Sequence, residues 1–167
     1  ELFEYLDGID VGYYESESEL SAVIIEDRLG KSKIDELMSK FPGLIVQDQS
    51  VQSAIDFISI YLEGRILDMC SAPGGKTINT AWRMTEDSTL VAMDSVEKRM
   101  QKVVENLCRV NQNEIPLVIA DGLHLPFKSN SFDTVLLDGP CSGTGVIRHY
   151  PDGRWLLNEE KIHENGE

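Results

Sequence analysis

One stretch, residues 64–77, most constrains what this chain can fold into. It reads Gly-Arg-Ile-Leu-Asp-Met-Cys-Ser-Ala-Pro-Gly-Gly-Lys-Thr, an apolar segment that runs into a turn rich in proline and glycine. Ile66 and Leu67 suit a strand buried on both faces, and the turn at 73–75 leaves no room for bulky side chains. A helix that starts at Thr77 would present unpaired backbone N–H groups, which attract a carboxylate or a phosphate. The stretch therefore predicts a strand, a turn and a helix that together hold the anionic end of a ligand.

Two other glycine-rich turns bind phosphates, and neither pattern is complete in this stretch. The phosphate-binding loop G-x-x-x-x-G-K-[ST] matches at Gly75, Lys76 and Thr77, but its first glycine would fall at Cys70. The dinucleotide pattern G-x-G-x-x-G fails because Gly74 and Gly75 are adjacent. The remaining alternative is a strand-to-helix turn that binds nothing, since glycine turns are common in α/β folds.

Helix and strand patterns alternate after this turn. Strands are predicted at 89–94, 117–121 and 131–138, and helices at 77–84 and 96–110. Such alternation is typical of an α/β fold with a parallel sheet. Before the turn, an extended segment at 43–50 leads to a helix that is capped at Asp48 or Ser50 and stops at Gly64.

Helices are also predicted in the acidic first part of the chain. Ser16 and Glu19 fit the capping box S-x-x-E, and apolar residues then recur at helical spacing as far as Gly30. A second short helix ends at Pro42, and its apolar residues are expected to pack against the core.

Charge limits the partners that this chain can bind on its own. The 167 residues carry 29 acidic and 15 basic side chains, a net charge of −14, and residues 1–40 contribute −7 of it. This balance argues against a broad basic face for nucleic acid. The local basic patch consists of Arg148, His149 and Arg154, so RNA binding by this chain alone is expected to be weak and to fall with salt.

The cysteines and the length of the apolar runs narrow the class of protein further. The three cysteines are odd in number and lack C-x-x-C spacing, so neither a disulfide framework nor a metal site is predicted. No apolar run reaches the ~20 residues that span a bilayer, and residues 1–4 lack the basic start of a signal peptide. We therefore expect a cytoplasmic protein, or a nuclear or nucleolar one in a eukaryote. Because the first residue is glutamate, we also expect a piece of a longer protein.

Each strand predicted after the turn ends in an acidic residue. These residues are Asp94, Asp121 and Asp138. In an open parallel sheet the ligand lies beyond the carboxyl ends of the strands, so the three carboxylates are expected around one site. Asp94 follows Gly75 by 19 residues, close to the ~20-residue spacing at which a carboxylate accepts hydrogen bonds from a ribose diol. For each aspartate alone, the alternative is a solvated strand end or a helix N-cap.

A loop dense in glycine, hydroxyl and basic residues follows Asp138. Within it, Pro140 fixes the backbone just before the thiol of Cys141, where a cytosine ring could be presented. Methylation of cytosine at C5 requires a thiol to add transiently to C6 and a base to remove the C5 proton. The alternative for Cys141 is a small buried apolar residue, the commoner fate of a free cysteine.

These residues resemble the Fmu/Sun family of S-adenosylmethionine-dependent RNA cytosine-5 methyltransferases. Residues 67–77 look like the first motif of the family. Residues 138–145, followed by Arg148 and by 151–152, look like its fourth motif, and residues 46–50 resemble its lead-in segment.

The resemblance implies the domain organisation. It covers about residues 43–157, which it identifies as part of an S-adenosylmethionine-binding methyltransferase domain. The implied fold is α/β and Rossmann-like, the class I methyltransferase fold, with a parallel sheet that is incomplete on its C-terminal side. An acidic, mainly helical segment at 1–42 precedes this domain, and a polar tail at 158–167 follows it.

The resemblance also implies the cofactor and the residues that bind it. S-adenosylmethionine is expected with its methionyl group at 70–76, its ribose at Asp94, its adenine near Asp121 and the reacting centre near Asp138. The implied cofactor-binding residues are Cys70, Ser71, Ala72, Pro73, Gly74, Gly75, Lys76, Asp94, Arg99, Asp121 and Asp138. The implied catalytic residues are Asp138 and Cys141.

The chain departs from the family in its cysteines. In the family the attacking thiol belongs to a later Thr-Cys motif, and the Pro-Cys thiol releases the product. Here Cys70 follows methionine, Cys108 follows leucine and Cys141 follows proline, so the sequence contains no Thr-Cys pair. Cys141 is therefore expected either to release the product or to be the nucleophile, as the Pro-Cys thiol is in DNA cytosine-5 enzymes.

Two functions remain open at this point. The first is transfer of a methyl group to C5 of a cytosine in rRNA or tRNA, with RNA as the partner and with this chain supplying only part of the enzyme. The second is a truncated or degenerate cofactor-binding module without catalysis, which contacts a protein partner through the unpaired edge of its sheet. A Thr-Cys motif downstream would favour the enzyme.

Overall fold

A parallel four-stranded sheet forms the framework of the part of the chain that carries the glycine turn. We describe it from a computed structural model, which describes residues 1–16, 22–139 and 141. Its strands are β3 (Arg65–Asp68), β4 (Thr89–Asp94), β5 (Leu117–Ile119) and β6 (Thr134–Leu136). The order across the sheet is β5-β4-β3-β6, so the chain reverses its direction of travel at β3. In sheets of this type the ligand crevice lies at that switch point, which places the predicted glycine turn at the expected location.

Among the described residues, three helices pack on this sheet: one precedes β3, one connects β3 to β4, and one connects β4 to β5. They are α3 (Gln49–Ile58), which continues as a 3₁₀ turn at Ser59–Tyr61, α4 (Gly75–Arg83) and α5 (Glu97–Arg109). One apolar cluster joins the helices to the strands, with Ile55, Ile78, Val103 and Leu107 packed against Ile66, Leu90 and Ala92. The register pairs Ile66 of β3 with Leu90 of β4. The predicted α/β fold with a parallel sheet is therefore confirmed.

The prediction of a helix from Ser16 to Gly30 is wrong for residues 22–30, which the structure describes and which contain a strand. The structure has α1 (Leu2–Gly8), β1 (Tyr13–Glu15), β2 (Val23–Ile25) and α2 (Lys31–Lys40) in this part of the chain. β1 and β2 pair antiparallel, with Tyr14 opposite Ile24. Val23, Ile24 and Ile25 are all β-branched and favour a strand next to an aromatic partner, which outweighs their helical spacing. The second predicted helix is confirmed as α2.

Element boundaries differ from the predicted ones in two places. The helix after the glycine turn begins at Gly75, two residues before Thr77. β5 and β6 end at Ile119 and Leu136, so Asp121 and Asp138 lie just beyond their strands. Asp48 caps α3 by accepting a hydrogen bond from the N–H of Ser50, as the sequence predicted.

The chain divides between Leu137 and Asp138 into two units. The first unit, residues 1–137, contains every helix and strand named above. In the second unit, only residues 138, 139 and 141 are described. Among the described ranges, none of the helices has the length and apolar character that crossing a membrane would require.

A salt bridge ties the start of β3 to the start of β6. Asp133 accepts hydrogen bonds from the Arg65 backbone N–H at 2.9 Å and from the Arg65 guanidinium at 3.0 and 3.1 Å. Gly64, which has a φ of 71°, comes directly before Arg65. A Cβ on Gly64 would lie 2.7 Å from a carboxylate oxygen of Asp133. Hydrogen bonds from the guanidinium and from the backbone N–H of Arg65, together with the Arg65 charge, lower the pKa of Asp133 from 3.8 to about 2.

We expect Asp133→Asn to lower the thermal unfolding midpoint much more at pH 7 than at pH 2. The pKa of Asp133 in the folded chain lies below its ordinary value, so its contribution is complete above pH 3.8 and is lost as the pH falls towards 2. The check is a set of melting curves of wild type and variant between pH 2 and pH 7. Asp87→Asn, at an exposed turn residue, is the matched control. A difference that persisted unchanged to pH 2 would contradict the assignment.

Candidate functional site

The candidate site is the turn between β3 and α4, residues 69–76, which we call the cradle turn. β3 ends in Asp68, which is fully buried and accepts a hydrogen bond from the Thr77 hydroxyl at 2.7 Å. The N–H of Gly74 bonds the carbonyl of Ser71 at 2.6 Å and closes the turn. The intrahelical bonds of α4 begin with the N–H of Ile78 on the carbonyl of Gly74. The N–H groups of the first turn of α4 therefore have no acceptor inside the helix and can receive an anion.

Protein groups lie close to both glycines of the cradle turn, and the backbone conformation of Gly74 is one that other residues rarely adopt. Gly74 has φ of 104°, and a Cβ there would lie 3.4 Å from Cα and Cγ1 of Val103 in α5. A Cβ on Gly75 would lie 2.7 Å from Nε2 of Gln47. The sequence indicated only that the missing side chains leave space for a ligand. The structure shows that they also let α5 and the lead-in segment pack directly against the turn.

Asp94, the predicted ribose acceptor, lies at the end of β4 with its carboxylate turned towards the cradle turn. One oxygen accepts from the N–H of Ala72 at 3.2 Å, and the other accepts from the N–H of Val96 at 3.1 Å. The side chain is 2% exposed, and the Arg99 guanidinium lies 3.6 Å away. Because a carboxylate has about four lone-pair positions, two such bonds leave it capacity for a ligand hydroxyl. Its predicted role towards a ribose stays a prediction.

α5 holds the cradle turn through two side-chain donors. Arg99 donates to the carbonyl of Ala72 at 3.2 Å, and Asn106 donates to the carbonyl of Pro73 at 2.8 Å. Arg99 was implied as a cofactor-binding residue, and the structure shows it bound to the turn itself. Sequence reasoning missed Asn106, since its contact joins residues 33 positions apart and no local pattern signals it.

The lead-in segment reaches α4 through a chain of polar side chains. Gln47 accepts from the side-chain amide of Asn79, whose oxygen accepts from Arg83 at 2.8 Å. Arg83 in turn pairs with Asp56 of α3. These contacts fix the segment before α3 against the start of α4. The lead-in segment at 46–50 is therefore joined to α4, the helix that follows the cradle turn.

Asp121 lies in the loop after β5, close to the cradle turn. A Cβ on the adjacent Gly122 would lie 3.0 Å from Cε of Met69. The carboxylate of Asp121 accepts from the N–H of Leu123 at 3.0 Å and contacts Nδ1 of His124 at 2.9 Å. These hydrogen bonds, that of His124 first, lower the pKa of Asp121. The carboxylate is therefore held by its own loop, whose Gly122 lies against Met69 of the cradle turn.

The remaining residues predicted to bind the cofactor or to act in catalysis lie partly in the first unit and partly in the second. Cys70 and Lys76 are half-buried in the cradle turn, and Ser71 is buried with no hydrogen-bond partner for its hydroxyl among the described residues. Asp138 and Cys141 belong to the second unit, and Cys141 is exposed. The basic patch at 148–154 and the rest of its loop lie outside the described residues.

A cavity lies in the described residues apart from the cradle turn. An open cavity of about 580 Å³ lies near the N-terminus, lined by Glu1, Glu4, Tyr5, Gly8, Ile9, Lys40 and Phe41. None of the predicted site residues lines it. No group of three His, Cys, Asp or Glu side chains is arranged to hold a metal in the described part of the chain.

A family model described as 16S rRNA methyltransferase RsmB/F matches residues 59–166, more than half of the chain. The chain belongs to the RsmB/F family. It is 42% identical over 119 residues to ribosomal RNA small subunit methyltransferase B of Photorhabdus laumondii, an alignment that covers 70% of this chain and 27% of that protein. The corresponding protein of Vibrio cholerae is 41% identical over 120 residues, again 27% of its length. This RsmB/F chain therefore spans about a quarter of the length of the curated relatives it matches.

Solved structures agree on the fold of this RsmB/F chain. The crystal structure of PH0851 superposes with a TM-score of 0.79 at 27% identity, covering 98% of this chain and 37% of that one. NSun6 from Pyrococcus horikoshii, solved with SFG, superposes with a TM-score of 0.64 at 25% identity, covering 89% of this chain and 39% of that one. The resemblance to Fmu/Sun methyltransferases and the Rossmann-like methyltransferase fold are therefore confirmed.

Proposed function

We propose that this chain supplies the cofactor-binding part of an enzyme that transfers a methyl group from S-adenosylmethionine to C5 of a cytosine in RNA. The observation that carries the proposal is the cradle turn at the switch point of the sheet, tied to Asp94 through the N–H of Ala72. Membership of the RsmB/F family supports both the cofactor and the RNA substrate. The related NSun6 structure, solved with SFG, supports a ligand in this fold.

Different residues of the first unit would bind different parts of this cofactor. The first-turn N–H groups of α4, together with the glycines of the cradle turn, would receive the carboxylate of its methionyl end. Asp94 and Arg99 would lie at the ribose, and Asp121 near the adenine. A carboxylate at the end of β4 suits a diol because its oxygens can accept hydrogen bonds from both hydroxyl groups. The cofactor supplies an electrophilic methyl group, and these residues bind and orient it.

Asp138 and Cys141 are the proposed residues of the chemical step. A thiol attached to C6 of cytosine makes C5 nucleophilic enough to take the methyl group, and a base must then remove the C5 proton. Cys141 is the thiol that would act on the base, either as nucleophile or in releasing the product. The absence of a Thr-Cys pair from these 167 residues favours release as its role, with the attacking thiol supplied elsewhere in a longer chain.

The substrate is proposed to be ribosomal RNA, with tRNA as the alternative. The names of the family and of the Photorhabdus and Vibrio relatives favour ribosomal RNA. An enzyme of bacterial ribosome assembly would act in the cytoplasm, and a eukaryotic one in the nucleus or nucleolus. Since the net charge is −14, tight RNA capture by this chain alone is not part of the proposal.

A second candidate is a cofactor-binding module without catalysis. Such a module would hold the cofactor without supplying the attacking thiol. It would contact a protein partner through the edge of its sheet, where β6 has no neighbouring strand among the described residues on the side away from β3.

Isothermal titration calorimetry tests the proposal. The chain is titrated with S-adenosylhomocysteine and, separately, with ATP in the presence of magnesium. We expect saturable binding of S-adenosylhomocysteine and no binding of the ATP complex, because Cys70 stands where a phosphate-binding loop needs its first glycine. Binding of the ATP complex alone would show that the cradle turn is a phosphate site and would overturn the proposal.

A further inference from the structure

We infer that Asn106 is a positioning residue for the cofactor site, holding the carbonyl of Pro73 towards α5 so that the cradle turn presents N–H groups, and not carbonyl oxygens, to a carboxylate. The inference rests on the proposed function. Asn106 lies in the last helical turn of α5, and its side-chain NH₂ donates to the carbonyl oxygen of Pro73 in the cradle turn at 2.8 Å.

Three residues on one face of α5 contact the cradle turn. Arg99, Val103 and Asn106 are spaced four and three positions apart, which places them on the same side of a helix. Arg99 bonds the carbonyl of Ala72 and Asn106 bonds that of Pro73. Between them, buried Val103 packs against Gly74, where a Cβ would lie in van der Waals contact with it at 3.4 Å. The two donors therefore belong to a packed interface between the helix and the turn.

The amide of Asn106 is oriented by a second contact. Its oxygen accepts from the Arg109 guanidinium at 3.4 Å, and Arg109 also donates to the carbonyl of Pro42 at 3.0 Å. An amide whose oxygen faces a guanidinium must turn its NH₂ group the other way, towards Pro73. The donor is therefore held in place before any ligand binds.

The electrostatic consequence concerns the peptide between Pro73 and Gly74. A peptide unit carries a dipole of about 3.5 D, and its carbonyl oxygen is the negative end. Asn106 turns this oxygen towards α5, and the N–H of the same peptide bonds the carbonyl of Ser71. If the carbonyl were released, the hydrogen bond from this N–H to Ser71 would be the hydrogen bond left to hold the peptide among the described residues. The peptide could then rotate more easily and turn its negative end towards an anion at the start of α4.

The test compares two ligands in one variant. S-adenosylhomocysteine carries the carboxylate, whereas 5′-methylthioadenosine has the same nucleoside without the amino-acid end. Asn106→Leu keeps the approximate size of the side chain and removes the donor. We expect it to weaken binding of S-adenosylhomocysteine about three- to tenfold, the range for loss of one hydrogen bond, and to leave the affinity for 5′-methylthioadenosine within about twofold. Gln101→Leu, which replaces an exposed amide of the same helix, is the matched control and should change neither.

The possible outcomes separate the inference from the proposed function. Equal weakening of both ligands, or of neither, would overturn the positioning role of Asn106. Failure of the wild-type chain to bind S-adenosylhomocysteine would overturn the proposed function itself. Asn106→Ala is the second variant, measured alongside melting curves in case leucine does not fit at this position, and the same ligand selectivity is expected of it.

Discussion

Asp94→Ala should weaken binding of S-adenosylhomocysteine by about 1–3 kcal/mol, or roughly fivefold to more than a hundredfold, because ribose hydroxyls would lose their charged acceptor. The variant should also lower stability, since the N–H groups of Ala72 and Val96 lose their shared carboxylate. Isothermal titration calorimetry and melting curves measure the two effects separately. Asp87→Ala, at an exposed acid in the turn before β4, is the control for the general loss of a negative charge.

The two effects of Asp94→Ala distinguish a binding role from a purely structural one. A variant that melts earlier but binds S-adenosylhomocysteine with wild-type affinity would show that Asp94 only ties β4 to the cradle turn. The ribose assignment would then be wrong. Asp94→Asn retains one acceptor oxygen and should fall between wild type and the alanine variant in both measurements.

The second large effect concerns catalysis. We expect the 167-residue chain to show no methyl transfer to unmodified RNA above background, although it binds the cofactor. C5 methylation needs a thiol on C6 and a separate group that takes the C5 proton. In this sequence Cys70 lies in the cradle turn and Cys108 is exposed on α5, so Cys141 is the thiol left for the base. The measurement is transfer of a labelled methyl group from S-adenosylmethionine to RNA.

A longer form of the protein provides the comparison for this assay. Activity confined to a form that contains a downstream Thr-Cys motif would support release of the product as the role of Cys141. Turnover by the 167-residue chain that is abolished by Cys141→Ala would contradict the prediction and would make Cys141 the nucleophile.

Local patterns predicted those parts of the fold that depend on neighbours in sequence. The strand at 65–68, the turn after it and β4 at Thr89–Asp94 follow from apolar runs and glycine positions, and the structure has them there. β2 was missed because Val23, Ile24 and Ile25 have a spacing that also suits a helix, and only their pairing with β1 decides between the two.

The contacts that hold the candidate site together could not be predicted in the same way. Asn106 and Gln47 reach the cradle turn from 33 and 28 positions away in the chain, and their amides look like ordinary surface side chains in the sequence. The glycine turn predicted that a ligand belongs there. It did not predict that Gly74 adopts a positive φ and lies against Val103 of α5. Packing constraints of this kind become visible only when α5 is in place.

Chemical-shift mapping tests most directly the claim that the cradle turn binds the cofactor. The ¹⁵N-labelled chain is titrated with S-adenosylhomocysteine, and the amide signals are followed residue by residue. We expect the largest changes in amide chemical shift in residues 71–78, 94–99 and 121–124, which include the first turn of α4. Saturation with changes confined to the residues around the N-terminal cavity, such as Tyr5 and Phe41, would contradict it.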